Sequence, residues 1–348
     1  MRTDSATPIY RNVIQKECPL QQAQKWCKKH SMPLWGRLCL NRHYTPGSSF
    51  TSEFADNHPE YYQIKHNGKT DTTRLSFAFA EVRQERINIL LEAQRLGVDA
   101  LVLDFCRQQP HGGYHPAEVE PFTKKFGQDP RQIKSHIPRD FASWFKYRSN
   151  WISIFMRELR QAVKQQEEEL KRPCPIIVRV PDSSEWVMIA GGMDIELWYA
   201  EDLIDATMLS PFQWCLNDLS RHPEYHVALA HKYGKQCIGG IGSLNLIEHY
   251  PPVPHKQHSS FDATPIYDSA IRQLNAGVDG MSVYQTDCVC RMPWLKNVLP
   301  FVGNPDKCKE KRKDIEQSRF GMFFTGLDWH SGNKHGLHGT CSGEIEPL

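Results

Sequence analysis

The sequence predicts an α/β protein built around a parallel sheet, and three features indicate this fold class. Six short apolar runs typical of buried strands alternate with helical segments along most of the chain. The clearest run, Asp99–Asp104, follows a helical segment at residues 81–96 that ends at Gly97. A second junction of the same form, Gly277-Val-Asp279, leads into another apolar run. The chain is therefore expected to repeat a helix–loop–strand unit.

The six predicted strands are bounded by polar residues, glycine or proline. They are Pro33–Asn41, Asp99–Asp104, Pro175–Val180, Ala206–Ser210, Lys235–Ile241 and Met281–Tyr284. Three long polar segments, 42–72, 108–138 and 244–261, follow strands and are predicted to be loops on one face of the sheet. Functional residues commonly lie on such loops, so the pattern indicates an enzyme.

Composition limits the functional classes. The 348 residues carry a formal net charge of +2 and are 40% hydrophobic, which fits neither a disordered chain nor a nucleic-acid-binding surface. The 11 cysteines form no C-x-x-C pair and indicate free thiols. We expect no signal peptide and no membrane span. The chain is thus cytoplasmic as it stands, and an exported protein if its N-terminus is truncated.

Six segments of the chain, in order, resemble a known family. They are LSFAFAEVRQERI, GVDALVLDFCR, FKYRSNWISIFMRELRQAV, IIVRVP, GGMDIELWYAEDLIDATMLSP and AGVDGMSVYQTD. Over about residues 20–310 these segments resemble the family-ten-like glycosyl hydrolases, barrel proteins common in polysaccharide-degrading bacteria. The resemblance implies a (β/α)8 TIM-barrel domain at 1–310 that acts on carbohydrate, and it leaves residues 311–348 as a C-terminal tail.

The start of the chain departs from the family pattern. The family's barrel begins with two strands before the one that resembles Pro33–Asn41, whereas this chain has about thirty residues there. Residues 9–14 could form one strand but hardly two. The expected fold is therefore an N-terminally incomplete barrel that lacks its first two strands and is open or irregularly closed.

Cleavage of a glycosidic bond requires two carboxylates, about 5 Å apart for retention or roughly 6.5–9.5 Å apart for inversion. Asp104 is the first candidate, because it ends an apolar strand where another aliphatic residue would be expected. The alternative is a structural ion pair with Arg107. Glu248 and Asp287, which follow the last two strands, are the candidates for the second carboxylate. Asp104→Asn is expected to abolish activity and to leave the fold intact.

A set of basic and polar residues near strand ends and in loops is expected to bind the substrate. These residues are Arg37, Asn41, Arg107, Tyr114, Arg179 and Tyr284. Tyr114, in a polar loop, is expected to stack on a sugar ring. Several arginines around one or two acids suit an anionic sugar, although they could instead pair with Asp104 and Asp287. Most of this set is expected to converge on one pocket at the carboxyl ends of the strands.

Two other functions remain open from the sequence. The pairs His111/His115 and His255/His258 could bind a metal, which would indicate a metal-dependent hydrolase of deacetylase or amidohydrolase type. Neither pair lies on a predicted helix, so these residues are predicted to be loop histidines, and neither a metal nor a cofactor is expected. A catalytically inactive carbohydrate-binding barrel is the third possibility. Carbohydrate is the only partner expected, with no nucleic acid and no membrane.

Overall fold

The computed structural model of the chain describes residues 18–43, 46, 52–107, 109–133, 138–210, 222–242, 264–284 and 298–318. Within these ranges the chain forms two compact units. The first unit comprises residues 18–179 and 185–205, and the second comprises residues 180–184 and 206–318.

Six parallel strands form the core of the two units. They are β1 (Trp35–Cys39), β4 (Ala100–Asp104), β5 (Ile176–Pro181), β6 (Ala206–Ser210), β7 (Gln236–Gly242) and β8 (Gly280–Tyr284). In the first unit β4 lies between β1 and β5, and in the second unit β7 lies between β6 and β8. A separate antiparallel hairpin consists of β2 (Tyr62–Ile64) and β3 (Thr70–Leu75).

The helices alternate with the strands, as the sequence predicts. The first unit contains α1 (Pro19–Lys29), α2 (Glu53–Asn57), α3 (Ala80–Arg95), α4 (Pro116–Phe126), α5 (Ala142–Leu170), α6 (Glu185–Ala190) and α7 (Ile195–Ala200). The second contains α8 (Pro223–Lys232), α9 (Thr264–Asn275) and α10 (Pro305–Ser318). Short 3-10 turns lie at Pro59–Tyr61, Pro130–Gln132, Pro138–Phe141 and Leu299–Phe301. Among the described helices, none has the length and apolarity needed to span a membrane.

The predicted fold class is confirmed. The chain is a mixed α/β protein, and its six parallel strands are those of a partial TIM barrel. Each of the six strands lies where the sequence predicted it. The expectation that two opening strands are missing concerns residues 1–17, which lie outside the described residues. The prediction that residues 42–72 are a loop is wrong, because this segment contains α2 and most of the hairpin. Its strands read TDTTRL and YQI and lack the apolar alternation that identifies a strand.

The core of the first unit is built by β4 and the long helix α5. Every residue of β4 is buried. Helix α5 buries apolar residues at three- and four-residue spacing, which places them on one side of the helix. These residues are Ile152, Phe155, Met156, Leu159 and Val163. Each such side chain stabilises the fold by roughly 1.5–3 kcal/mol through burial.

The second unit has its own apolar cluster, in which α9 and α10 pack together. Cys308 of α10 is fully buried beside Val298, Val302 and Tyr267. The predicted division after residue 310 therefore falls inside α10 rather than at its end. The separation into a barrel domain and a tail stays a prediction.

A reciprocal aspartate bridge recurs at the amino ends of the strands. In each bridge the backbone N–H of an aspartate donates to the carbonyl oxygen of a residue at the start of the neighbouring strand. The aspartate carboxylate accepts the N–H of that same residue, and all six hydrogen bonds measure 2.6–2.8 Å. The pairs are Asp99 with Leu34, Asp205 with Ile176, and Asp279 with Cys237. Two of these aspartates belong to the Gly-Val-Asp junctions of the sequence.

Replacing Asp205 with alanine is expected to lower the free energy of unfolding by about 2–3 kcal/mol. The variant leaves the Ile176 N–H without its acceptor and removes the carboxylate that Arg160 contacts at 2.7 Å. Urea unfolding followed by far-UV circular dichroism measures the change. Glu168→Ala, on the exposed side of α5, is the control and should change stability by less than about 0.5 kcal/mol. Equal stabilities of the two variants would contradict the bridging role.

Candidate active site

The candidate site is centred on Asp104, the last residue of β4. Its side chain is 0% exposed and makes four contacts. Oδ1 accepts the Nη1–H of Arg179 at 2.9 Å and the backbone N–H of Cys106 at 2.9 Å. Oδ2 lies 3.1 Å from Nη1 of Arg37 and 3.8 Å from Sγ of Cys39. A carboxylate offers about four lone-pair positions, so each has a protein partner in this structure.

Strand register explains why these residues meet. Asp104 lies opposite Arg179 on β5 and opposite Cys39 on β1. Side chains two residues apart on a strand share a face, which places Arg37 on the same face as Cys39. Three neighbouring parallel strands thus contribute to one cluster. A carboxylate and two arginines at this position contact each other because the pairing brings their side chains to one face.

The two arginines differ in their access to solvent. Arg179 is 2% exposed, whereas the side chain of Arg37 is 37% exposed. An unpaired guanidinium as deeply buried as Arg179 would be very costly, so its ion pair with Asp104 is needed to keep it there. Arg37 lies at the open side of the cluster, and its side chain can rotate toward solvent.

The charges of the cluster shift the pKa of the Cys39 thiol. Burial raises the pKa of Cys39, and the negative charge of Asp104 raises it further. The positive charges of Arg37, Arg107 and Arg42 lower the pKa and offset part of this rise. Cys39 therefore stays protonated near neutral pH and can donate its S–H to Asp104.

The connection after β4 is stabilised by hydrogen bonds to the carbonyl oxygen of its first residue, Phe105. The carbonyl oxygen of Phe105 accepts Nε2–H of Gln109 and Nε2–H of His111, both at 2.8 Å. The His111 backbone N–H donates to the carbonyl oxygen of Gly191 at 3.0 Å, and Arg74 donates to the carbonyl oxygen of Pro110 at 2.8 Å. This connection, which includes the first part of the segment predicted as a long loop, is thus tied to two other parts of the first unit, β3 and the turn after α6.

His111 is buried and neutral. Burial lowers its pKa to about 4, the hydrogen bond to the Phe105 carbonyl partly opposes this, and Arg74 lowers it further. Since a carbonyl oxygen only accepts hydrogen bonds, Nε2 carries the proton and Nδ1 has the lone pair. Among the described residues, His111 Nδ1 has no hydrogen-bond partner.

Two of the predicted substrate-binding residues, Asn41 and Tyr114, are buried and contact other parts of the protein. The Asn41 amide accepts the N–H of Leu75 and donates to its carbonyl oxygen, both at 3.0 Å, which ties the end of β1 to β3. Tyr114 is buried, with its ring 4.9 Å from His66 and 5.4 Å from Trp144. The expectation that Tyr114 lies open in a polar loop is therefore wrong, because its backbone N–H bonds to Ile64 and the segment folds into the core.

The remaining predicted residues fall into three groups. Arg37, Arg107 and Arg179 lie in the first unit and act together at Asp104 or its neighbour Cys39. Tyr284 ends β8 of the second unit, half-buried, and its convergence with the others stays a prediction. Glu248 and Asp287, the candidates for the second carboxylate, lie outside the described residues, as do His255 and His258.

The sequence reasoning missed three buried polar residues. Within the part of the chain that the structure describes, His43 has no hydrogen-bond partner at either ring nitrogen, and burial, together with Arg86, lowers its pKa well below the usual range. Glu118 is buried and accepts hydrogen bonds from Gln63, Ser76 and the Gly113 N–H. Asp182, buried in the second unit, follows β5 directly, so the strand-end criterion that identified Asp104 could have found it. For His43 and Glu118 the sequence carried no comparable signal.

The described residues contain no group of three or more histidine, cysteine or acidic side chains placed to hold a metal ion. His115 uses both of its ring nitrogens within the protein. Nε2 lies 3.1 Å from the carbonyl oxygen of Glu60, and Nδ1 accepts the N–H of Ala117 at 3.1 Å. The pair His111/His115 is therefore not arranged to share a ligand.

Comparisons with known proteins give structural neighbours only. No protein-family model and no curated protein matches the chain. Solved structures with similarity include a family 18 N-acetylglucosaminidase from Paenibacillus barengoltzii, at 15% identity and TM-score 0.28, over 48% of this chain and 46% of that one. A cyclic α-maltosyl-(1→6)-maltose hydrolase from Arthrobacter globiformis matches at 15% identity and TM-score 0.39. The match covers 85% of this chain and 61% of that one.

A third match is the cell-surface chitinase ChiW from Paenibacillus sp. strain FPU-7, at 10% identity and TM-score 0.41, over 79% of this chain and 34% of that one. The chain thus spans less than two thirds of each of the three solved structures. These neighbours are glycoside hydrolases of low identity. None of the three is named as a family-ten enzyme.

We expect Asp104→Asn to lower the free energy of unfolding by about 3–5 kcal/mol, because it leaves the buried Arg179 without its counter-charge. This replaces the expectation from sequence that the variant folds normally. Asp104→Leu combined with Arg179→Met should recover part of the loss, since it removes both charges. Glu201→Gln, in an exposed pair with Arg157, is the control and should cost less than about 1 kcal/mol. Urea unfolding measures all three variants, and wild-type stability of Asp104→Asn would contradict the expectation.

His111 should make stability depend on pH. Its pKa is about 4 when folded and 6.5 when unfolded, so the unfolded chain binds the proton first as pH falls. The stabilisation is present above pH 6.5 and is lost by about pH 4, which amounts to about 3 kcal/mol. Urea unfolding from pH 7 to pH 4 should show a smaller pH dependence for His111→Gln than for wild type. His30→Gln, at the exposed end of α1, should retain the wild-type dependence.

Proposed function

We propose that this chain is a carbohydrate-active hydrolase that cleaves glycosidic bonds in a polysaccharide or oligosaccharide. The observation that carries the proposal is the cluster of Asp104 with Arg37 and Arg179 at the carboxyl ends of parallel strands. In barrels of this type, active sites are built at that end of the strands. The resemblance of six ordered segments to family-ten-like glycosyl hydrolases supports the same activity.

The environment of Asp104 favours one of the two roles that glycoside hydrolysis requires. Asp104 forms ion pairs with the guanidinium groups of Arg179 and Arg37, and this pairing suits a nucleophile or base rather than a proton donor. Arg37, which contacts Oδ2, is partly exposed and can be displaced when a substrate enters. We assign the proton-donor role to Glu248 or Asp287, which follow the last two predicted strands.

The substrate proposed for this site carries negative charge, as in uronic or sulfated sugars. Arg37, Arg107 and Arg42 all act on Cys39 beside Asp104, so several positive groups lie near this carboxylate. Arginine binds carboxylate and sulfate groups in a bidentate manner, which fits it for such substrates.

A second candidate function is a carbohydrate-binding barrel without catalysis. It is favoured by the complete burial of Asp104 and by the protein partners at both of its oxygens. In that case the cluster would stabilise the fold and present Arg37 to a ligand, with no bond cleaved.

Hydrolysis assays on neutral, uronic and sulfated oligosaccharides test the proposal. We expect Glu248→Gln or Asp287→Asn to reduce turnover by at least about a thousandfold and to leave the Kd for the substrate nearly unchanged, because each removes a proton-transfer group. Asp306→Asn, at an exposed position of α10, is the matched control and should keep full activity.

Three outcomes would contradict the proposed mechanism. Saccharide binding without turnover would favour the non-catalytic barrel. Loss of activity on chelation, with recovery on adding a divalent metal, would favour the metal-dependent hydrolase. Full activity in both carboxylate variants would exclude them as the acid.

A further inference from the structure

A row of five aromatic rings lies along the surface of the first unit. The rings belong to Phe54, His58, Tyr61, Phe79 and His115, and we call this set the aromatic row. Successive ring centroids are 4.8, 5.1, 4.6 and 5.0 Å apart, and the rings of His58 and Tyr61 are stacked within 14° of parallel. The five rings therefore pack as one continuous group rather than as separate residues.

All five rings are partly exposed to solvent. Apolar area left in water costs free energy, so a contiguous, partly exposed group of rings indicates a binding surface more often than scattered rings do. The protein also holds the row in place. His115 contacts the Glu60 carbonyl oxygen at 3.1 Å, and His58 Nδ1 lies 3.0 Å from the Glu60 carboxylate.

The position of the aromatic row relates it to the candidate active site. Phe79 lies in the connection that leaves the carboxyl end of β3 and enters α3. His115 lies at the end of the connection that leaves the carboxyl end of β4 and enters α4. Asp104 is the last residue of β4, so one end of the row and the candidate carboxylate belong to the same strand-to-helix connection.

Four acidic residues lie beside the aromatic row. Glu53, Asp56, Glu60 and Glu81 are all exposed. Burial raises the pKa of the Tyr61 hydroxyl, and the charges of Glu81 and Glu60 raise it further, which places both carboxylates near its ring. An acidic border repels phosphate, sulfate and carboxylate groups. It disfavours nucleic acid and acidic sugars here, in contrast to the arginine cluster at Asp104.

We propose that the aromatic row is a subsite for uncharged pyranose rings of an oligosaccharide. The faces of aromatic rings are electronegative, and the C–H bonds on one face of a pyranose can lie against them while its hydroxyl groups reach the neighbouring carboxylates. The inference rests on the proposed function in that carbohydrate is the ligand, but it concerns binding and does not require bond cleavage.

Titration calorimetry of the full chain tests this proposal with three probes: cellohexaose, hexagalacturonate and oligo(dT). We expect Tyr61→Ala and Phe79→Ala each to weaken cellohexaose binding by about tenfold, because each removes one stacking face. Tyr61→Phe retains the ring and should keep wild-type affinity. Phe126→Ala, an exposed aromatic on α4 outside the row, is the control. Thermal unfolding is measured for every variant to check that the variant is folded.

The results separate this inference from the proposed function. Tyr61-dependent binding without hydrolysis supports the subsite and contradicts the hydrolase. Hydrolysis with unchanged Kd in Tyr61→Ala and Phe79→Ala overturns the subsite alone. Absence of cellohexaose binding by wild type, or Tyr61-dependent binding of hexagalacturonate or oligo(dT), also overturns it.

Discussion

The reciprocal bridges of Asp99, Asp205 and Asp279 hold the amino ends of neighbouring strands at a single register. Side chains alternate between the two faces of a strand, so a slip of one residue would move every side chain to the opposite face. Between β1 and β4 such a slip would turn Arg37 away from Asp104. The geometry of the candidate site at the carboxyl ends of the strands therefore depends on hydrogen bonds made at their amino ends.

Burial of Asp104 with Arg179 requires the removal of two charges from water, and that desolvation is offset only by close pairing. Replacing a buried ion pair by apolar side chains of similar size often costs little stability. The protein instead retains an ion cluster that includes a partly exposed arginine. This is consistent with a role in ligand recognition, because stability alone does not account for a charged cluster on an apolar strand.

The sequence identified all six parallel strands because each is a short apolar run, and it placed Asp104 at a strand end. It did not identify the hairpin β2–β3, whose strands are mostly polar. For Asp104 it offered an ion pair with Arg107, the nearest arginine along the chain, only as the structural alternative, and it left open whether the other arginines pair with Asp104 and Asp287. The partners recorded by the structure, Arg37 and Arg179, are 67 and 75 residues away and meet it only through strand pairing. Such cross-strand contacts cannot be obtained from local pattern alone.

The carbonyl oxygen of Phe105 accepts two side-chain hydrogen bonds, and this has a kinetic consequence. A connection anchored at Phe105, Pro110 and His111 has few ways to open without breaking several hydrogen bonds at once. Its backbone amides should exchange slowly with solvent, as those of a core strand do. The wall of the site next to Asp104 then has a fixed shape. Ligands that bind beside Asp104 would be selected by their fit to this preformed wall.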